Sequence, residues 1–212
     1  MKPVILIGGG GHAKVCLDLL LRQQSEIVGY TALQASSSLP DYIAYLGDDE
    51  AVLRYEPGEV MLVNGIGMLG SSRIRSRIYA RYKKAGYTFA SLIHDSAVVS
   101  NLAEVCEGAQ IMAGAVVQAG SVIGANVIVN TRAVIDHDCT IGKHAHISPG
   151  AVLCGGVTVG EHVHVGAGAN VVQQVSIGDE AVIGAGSLVL RPVDSCSLVY
   201  GVPAKRADSV ME

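Results

Sequence analysis

The densest run of ionisable side chains in the sequence is VIDHDCTIGKHAH, which extends from Val134 to His146. It holds three histidines, two aspartates and a lysine among residues that are otherwise small or aliphatic. His137 stands between Asp136 and Asp138, and a carboxylate beside an imidazole orients the ring and raises its basicity. We therefore predict that His137 does acid–base chemistry, the alternative being an exposed histidine with no chemical role.

A six-residue period surrounds this run and predicts how its side chains are positioned. From Ile93 to Val189, every sixth residue is aliphatic, and from Ala97 to Ser187 the residue two places earlier is Ala, Ser, Cys or Val. Hexapeptides of this kind are typical of a parallel β-helix, in which the aliphatic residue fills the interior. Glycines recur every eighteen residues after the aliphatic position, so three hexapeptides make one coil: Gly124, Gly142, Gly160 and Gly178.

Residues eighteen apart in such a coil lie in one column. His144 is therefore expected over His162, and His146 over His164, while Ala119 and Gly155 flank His137. The small neighbours leave room for a ligand beside His137. His137 and His146 are nine residues apart, so they leave different faces of the coil and can share a site only across two subunits. This spacing predicts a cyclic oligomer with its chemistry between subunits.

The first ninety or so residues follow another pattern, with strand and helix signals in alternation. Strands are predicted at 3–7, 26–30, 59–63 and 87–93, and helices at 13–22, from 48 or 49 and near 71–84. This alternation favours a parallel sheet. We predict an α/β Rossmann-like domain at 1–93, a parallel β-helix at 94–194 and a non-repeating tail at 195–212.

A glycine-rich turn, Gly8 to Gly11, follows the first predicted strand and precedes the first helix, with His12 directly after it. Amides at such a helix N-terminus can receive phosphate, as in nucleotide-binding domains. However, the carboxylate expected at the end of the second strand is absent, since Tyr30 and Thr31 stand there. NAD is therefore disfavoured, and the turn is predicted to bind the diphosphate of a nucleotide sugar or to be merely structural.

Composition excludes several classes of function. The formal charge of −4 provides no basic surface, so no nucleic-acid partner is expected. Five scattered cysteines without a CxxC pair favour reduced thiols in a cytoplasmic protein. The apolar run before the first glycines is too short for a signal peptide or a span, which predicts no membrane insertion.

Two alternative chemistries receive little support from the histidine and cysteine positions. Some hexapeptide-repeat proteins are zinc hydratases with two histidines five residues apart, and none of the seven histidines here has that spacing. We expect no metal. Cys139 adjoins the candidate base but falls in the column of small residues between Ala133 and Ala145, so it is predicted to point inward and not to act as a nucleophile.

Five stretches together resemble a family of sugar acyltransferases, the sialic acid O-acetyltransferase and bacillosamine N-acetyltransferase group. These stretches are VILIGGGGHAKVCLDLL, the turn from Asn64 to Gly67, SLIHDSAVVS, VNTRAVIDHDCTIGKHAHISPGA and GVPAK. Members of this family often carry an Asp pair where this chain has Tyr30 and Thr31. The resemblance implies a left-handed β-helix homotrimer that uses acetyl-CoA, with active sites between subunits and no metal.

The resemblance also implies roles for single residues. His137 is implied as the general base, with Asp138 as the acid that raises its basicity. His146 is implied to contact the thioester end of CoA, and the Gly155 N–H to bind the thioester carbonyl. The remaining implied contacts are with pantetheine (Ala167, Ala185), with the acceptor (Asn130) and with the nucleotide sugar (Gly10, Gly11, His12, Gly67).

The predicted function is acetyl transfer from acetyl-CoA to a nucleotide-linked amino sugar, of the UDP-4-amino-4,6-dideoxy type, for surface glycan or glycoprotein biosynthesis. A sialic-type sugar O-acetyltransferase remains an alternative. So does a trimeric nucleotide-sugar-binding scaffold without catalysis.

Overall fold

The computed structural model describes residues 2–207, which form two compact units. The first unit comprises the chain up to Gly67 together with Arg73–Leu92, and the second comprises Met68–Ser72 with the chain from Ile93 onward. Within the described range, neither α-helix is both long and apolar enough to cross a membrane.

The first unit is a parallel α/β domain. In chain order its elements are β1 (Val4–Ile7), α1 (Gly11–Arg22), β2 (Ile27–Thr31), β3 (Tyr45–Gly47), a 3₁₀ helix (Asp49–Arg54), β4 (Met61–Asn64) and α2 (Ile74–Lys84). Its sheet has the strand order β3-β2-β1-β4, and β1 consists of four aliphatic residues with no exposed surface, as a central parallel strand requires. The predicted α/β class is confirmed.

This unit differs from the prediction at three places. Strand β3 was missed because it is three residues long and pairs only at the sheet edge. Helix α2 begins at Ile74 instead of residue 71. The predicted strand at 87–93 reduces to a bridge between Phe89 and Leu62, followed by a separate two-residue strand.

The second unit is the predicted β-helix, built from short strands stacked in three sheets. The strands are β5 (Leu92–Ile93), β6 (Val98–Val99), β7 (Glu104–Val105), β8 (Gln110–Ile111), β9 (Val116–Val117), β10 (Val122–Ile123), β11 (Ile128–Val129), β12 (Val134–Ile135), β13 (Thr140–Ile141), β14 (His146–Ile147), β15 (Val152–Leu153), β16 (Thr158–Val159), β17 (His164–Val165), β18 (Asn170–Val171), β19 (Ser176–Ile177), β20 (Val182–Ile183), β21 (Leu188–Val189), β22 (Leu198–Tyr200) and β23 (Lys205–Arg206). The sheets have the orders β23-β22-β20-β17-β14-β11-β8-β5, β21-β18-β15-β12-β9-β6 and β19-β16-β13-β10-β7, and their strands pair in parallel except for β22 with β23.

The interior of the coil is filled by the aliphatic register. From Ile111 to Val189, every sixth residue is at most 2% exposed, and these side chains form one continuous cluster with the apolar residues two places earlier. Ile93 departs from the prediction, since it is 38% exposed at the start of the coil.

The corners of the coil also repeat every six residues. From Gly108 to Gly186, each corner residue has a φ between 57° and 74°, in the left-handed region, and glycine takes about half of these positions. Asn and Asp also tolerate this conformation better than most residues. Asp138 is one of them, with a φ of 58°, so the repeat itself dictates where its carboxylate leaves the coil.

The coil extends beyond the last hexapeptide. Leu198–Tyr200 pairs with β20 through Val182 and Leu198, although these residues are sixteen apart instead of eighteen. That irregular spacing is why the six-residue pattern misses this strand. The chain then reverses into the antiparallel strand β23, and residues 208–212 of the predicted tail lie outside the described residues.

Candidate active site

The candidate base and its acid are adjacent at the corner that follows β12. The Nδ1 atom of His137 lies 2.8 Å from Oδ2 of Asp138, and the backbone N–H of His137 donates to Asp136 Oδ1 at 2.8 Å. A carboxylate can only accept, so Nδ1 carries the proton and Nε2 presents its lone pair. Within residues 2–207, no group hydrogen-bonds to Nε2, which leaves it available to a substrate.

Two glycines leave room for the side chains of His137 and Asp138. A Cβ at Gly155 would lie 2.5 Å from His137 Nε2, and a Cβ at Gly120 would lie 2.3 Å from Asp138 Oδ1. The imidazole thus lies against one glycine and the carboxylate against the other. Gly155 was predicted from the column of His137. Gly120 was missed, although it stands eighteen residues before Asp138 and the same rule would have found it.

The N–H of Gly155 is a free donor beside the imidazole. The N–H at this turn position lies outside the hydrogen bonds of the sheets. At two equivalent turn positions a side chain accepts from it: Asn130 accepts from the Thr131 N–H, and Asp136 accepts from the His137 N–H. Cys154 precedes Gly155 and offers no such oxygen. Among the described residues, the Gly155 N–H finds no acceptor, so it can donate to a substrate oxygen.

A cleft of about 270 Å³ opens at this point of the coil. His137, Asp138 and Gly155 line it, with Gly156, Gln173 and Gln174. The two glutamines stand thirty-six residues after the base and its acid, two coils on in the same columns. Neither glutamine was predicted, although both follow from the same eighteen-residue rule.

The pKa of His137 is raised above its ordinary value, chiefly by the hydrogen bond to Asp138 and then by the negative charge of Asp136. A raised pKa strengthens the base but keeps it protonated to a higher pH. The two aspartates that strengthen the base therefore also determine the pH below which the reaction rate falls.

Replacing Asp138 with asparagine is expected to shift that limb. Loss of the carboxylate lowers the pKa of His137, so the ring stays neutral to lower pH. The acidic limb of the pH profile of kcat/KM therefore moves to lower pH. The plateau rate should fall as well, because the base is weaker. Asparagine tolerates a positive φ, so the corner is kept. The pH dependence of kcat/KM measures both effects, and an unmoved limb would show that Asp138 does not tune the base.

His146 and Asn130 meet at a second place in the coil. Asn130 Oδ1 accepts from the Thr131 N–H at 2.7 Å, so its amide nitrogen faces His146 Nε2 as a donor, at 3.1 Å. Nδ1 of His146 then carries the proton and donates to the Met68 carbonyl at 3.0 Å. The residue is 8% exposed, and both ring nitrogens are engaged. Neither His146 nor Asn130 lines the cleft of His137, and their contacts with CoA and acceptor stay predictions.

Ala167 and Ala185 lie at one exposed corner of successive coils. The Gly186 N–H donates to the Ala167 carbonyl at 2.8 Å, which fixes the stacking of these two turns. A Cβ at Gly166 would lie 2.5 Å from the Ala185 nitrogen, so the backbones touch there. The pantetheine contact predicted for this corner remains a prediction.

The predicted nucleotide-sugar residues lie around the start of α1 in the first unit. Gly10 is the N-cap and has no side-chain cap, and a Cβ at Gly10 or Gly11 would meet nothing within 4 Å. Gly67 packs against His12, since a Cβ there would lie 3.4 Å from the His12 Cβ. The structure therefore brings these four residues together at an open helix N-terminus.

The alternative nucleophile is enclosed as predicted. Cys139 has no exposed surface and belongs to the interior cluster, and its Sγ faces the Cys154 carbonyl at 3.3 Å. Burial raises the pKa of its thiol, which disfavours the reactive thiolate. In the described part of the chain, no three His, Cys, Asp or Glu residues are grouped so as to hold a metal ion.

A hexapeptide coil carrying an oriented His–Asp pair beside a free amide defines a hexapeptide-repeat acyltransferase. Two family descriptions match the chain: "PglD N-terminal domain" over residues 3–82, and "Bacterial transferase hexapeptide (six repeats)" over residues 120–155 and 156–191. The chain belongs to the PglD-type hexapeptide-repeat sugar N-acetyltransferases, and it is an acetyl-CoA-dependent acetyltransferase. The family resemblance drawn from the sequence is thereby confirmed.

Solved structures agree with this assignment over nearly the whole chain. The acetyltransferase domain of PglB from Neisseria gonorrhoeae, in complex with acetyl coenzyme A, is 34% identical, with a TM-score of 0.90 over 97% of this chain and 99% of that one. PerB from Caulobacter crescentus, in complex with CoA and GDP-perosamine, is 37% identical, with a TM-score of 0.88 over 98% of each chain. A perosamine N-acetyltransferase from the same organism, with one histidine replaced by asparagine, also holds CoA and GDP-perosamine; it is 35% identical, with a TM-score of 0.89 over 99% of this chain and 98% of that one.

Proposed function

We propose that the protein transfers the acetyl group of acetyl-CoA to the amino group of a nucleotide-linked 4-amino-4,6-dideoxy sugar, by direct attack with His137 as general base. One observation carries the proposal: Nε2 of His137 lies free over Gly155 while Asp138 holds Nδ1. An acid–base pair beside an uncapped backbone amide suits acyl transfer, which needs a proton acceptor and an oxyanion donor.

The chemical step follows from these groups. A neutral sugar amine attacks the thioester carbonyl, and His137 Nε2 accepts the proton that the nitrogen loses. The Gly155 N–H donates to the carbonyl oxygen as it becomes negative, an interaction typically worth about 3–4 kcal/mol. The C–S bond then breaks, and CoA leaves as its thiol once the imidazolium returns the proton to sulfur. No covalent acyl-enzyme is required.

The acceptor class is supported by the first unit and by the relatives. The open turn at Gly10 and Gly11, at the start of α1, suits a diphosphate, because the first amides of a helix lack acceptors within the helix. The Caulobacter relatives hold a nucleotide-linked amino sugar together with CoA. A role in surface glycan or glycoprotein biosynthesis is in keeping with such an acceptor.

A homotrimer with active sites between subunits is part of the proposal. In the single chain, 55% of the His137 side chain and 72% of the Asp138 side chain are exposed. A second surface that covers so open a site would exclude water and strengthen the hydrogen bonds made to the reacting groups. His146 and Asn130 lie outside the cleft of His137, and a neighbouring subunit would supply residues such as these.

A thiol-release assay with acetyl-CoA tests the function against a panel of UDP-, GDP- and dTDP-linked 4-amino sugars, with a sialic acid as competitor. Release with at least one amino sugar, together with an acetylated amine by mass spectrometry, is the expected result. Release with sialic acid alone would favour the O-acetyltransferase, and no acetyl-CoA binding by calorimetry would favour the scaffold.

A further inference from the structure

A cleft of about 580 Å³ lies beside the glycine turn of the first unit. One wall is Gly8 to Gly10, and another is the segment from Ala32 to Ser37 that follows β2. At the end of β2, where nucleotide-binding domains of this type carry a carboxylate, this chain has Tyr30 and Thr31. Asp49, eighteen residues after Thr31, supplies a carboxylate to the lining of this cleft.

Asp49 is held from two directions. The hydroxyl of Thr31, which has no exposed surface, donates to Asp49 Oδ1 at 2.9 Å, and the Tyr82 hydroxyl donates to the Asp49 backbone carbonyl. The carboxylate is therefore fixed at the carboxyl end of β2 although it belongs to the 3₁₀ helix. Among the described residues, none donates to Oδ2, which leaves that oxygen for a ligand.

Tyr30 fixes the opposite wall. Its hydroxyl accepts from the Ser36 N–H at 2.8 Å, and the Ser36 hydroxyl donates to the Gly9 carbonyl at 2.5 Å. A Cβ at Gly9 would lie 2.8 Å from the Ser36 Cβ, so this approach requires glycine. Tyr30 and Thr31 thus act as braces: one holds the loop against the glycine turn, and the other holds the carboxylate.

We propose that Asp49 accepts a hydrogen bond from the ribose 2′-hydroxyl of the nucleotide sugar, an inference that rests on the proposed function. In α/β nucleotide-binding domains, phosphate lies at the N-terminus of the first helix and a carboxylate at the end of the second strand meets the ribose. The open turn at Gly10 and Gly11 and the carboxylate held by Thr31 reproduce those two positions. Thr31 is then a positioning residue, because it acts through Asp49.

Calorimetric titration of the full chain with UDP and GDP, each beside its 2′-deoxy analogue, tests the assignment. Of UDP and GDP, the nucleotide that the wild-type protein binds more tightly should have an affinity about tenfold or more above that of its 2′-deoxy analogue, as a hydrogen bond to a charged group predicts. Asp49→Asn should bring the ribonucleotide close to the level of the deoxy form. Asp48→Asn is the matched control: Asp48 caps the same 3₁₀ helix through the Glu50 N–H, lies outside the cleft, and should preserve the discrimination.

Thr31→Val keeps the shape of the side chain and removes the hydroxyl that holds Asp49. It should therefore reduce the discrimination between ribo- and deoxynucleotide while leaving the affinity for acetyl-CoA unchanged. Equal binding of ribo- and deoxynucleotide by the wild type overturns the role of Asp49 and leaves the proposed function intact. So does an Asp49→Asn variant that weakens both equally. Absence of any nucleotide binding by the wild type overturns the proposed function itself.

Discussion

Replacing His137 with asparagine lowers the rate of acetyl transfer by about 10²- to 10⁴-fold, the range that general-base catalysis contributes. Within the cleft, Nε2 of His137 lies over Gly155 and carries a lone pair, while the Asp138 carboxylate holds Nδ1 of the same ring. Asparagine keeps a polar side chain at this exposed corner, so the coil should fold as before. Single-turnover release of thiol from acetyl-CoA measures the rate, and calorimetry measures the binding of both substrates.

A second histidine of the same run provides the control. His144 stacks on His162, with ring centroids 4.8 Å apart, and its φ of 63° is one that asparagine tolerates. His144→Asn should therefore retain the wild-type rate. A His137→Asn variant within about threefold of wild type would remove the general base from the mechanism. Loss of acetyl-CoA binding in that variant would instead assign His137 to binding.

Much of the second unit could be predicted because a coiled repeat is nearly one-dimensional. In such a fold the neighbour of any residue follows from its number, so the pairing of His146 with His164 needed no knowledge of the rest of the chain. The contact of Gly155 with His137 could be predicted for the same reason. The prediction weakened where the spacing changed, as it does between Val182 and Leu198.

The remaining features depend on contacts that no sequence repeat indicates. The Asp49 carboxylate reaches the end of β2 through the Thr31 hydroxyl, and strand β3, which lies between them in the chain, was not predicted. The Met68 carbonyl that accepts from His146 is seventy-eight residues away in the chain. Such pairings follow from tertiary packing, and local pattern carries no signal for them.

Gly155 is expected to be the residue at which the smallest substitution has a large effect on the rate. An alanine Cβ would lie 2.5 Å from His137 Nε2 and 2.6 Å from Cε1, so the imidazole must move. A displacement near 1 Å can reduce a rate by about 10²-fold. The backbone accepts alanine at this turn, because the same position holds alanine in other coils, at 113, 119, 125, 167 and 185. We therefore expect Gly155→Ala to fold with a thermal midpoint near that of the wild type.

Alanine retains the N–H of residue 155, so a lost donor would not explain a slower reaction. A double-mutant cycle separates the remaining causes. If Gly155→Ala acts by displacing the imidazole, it should reduce the rate by about 10²-fold in the wild type and by little in the His137→Asn background, because the group it displaces is gone. Equal reductions in both backgrounds would mean that the methyl group blocks the thioester itself. The catalytic role of Gly155 would then be to leave space for the substrate, and the position of His137 would not depend on it.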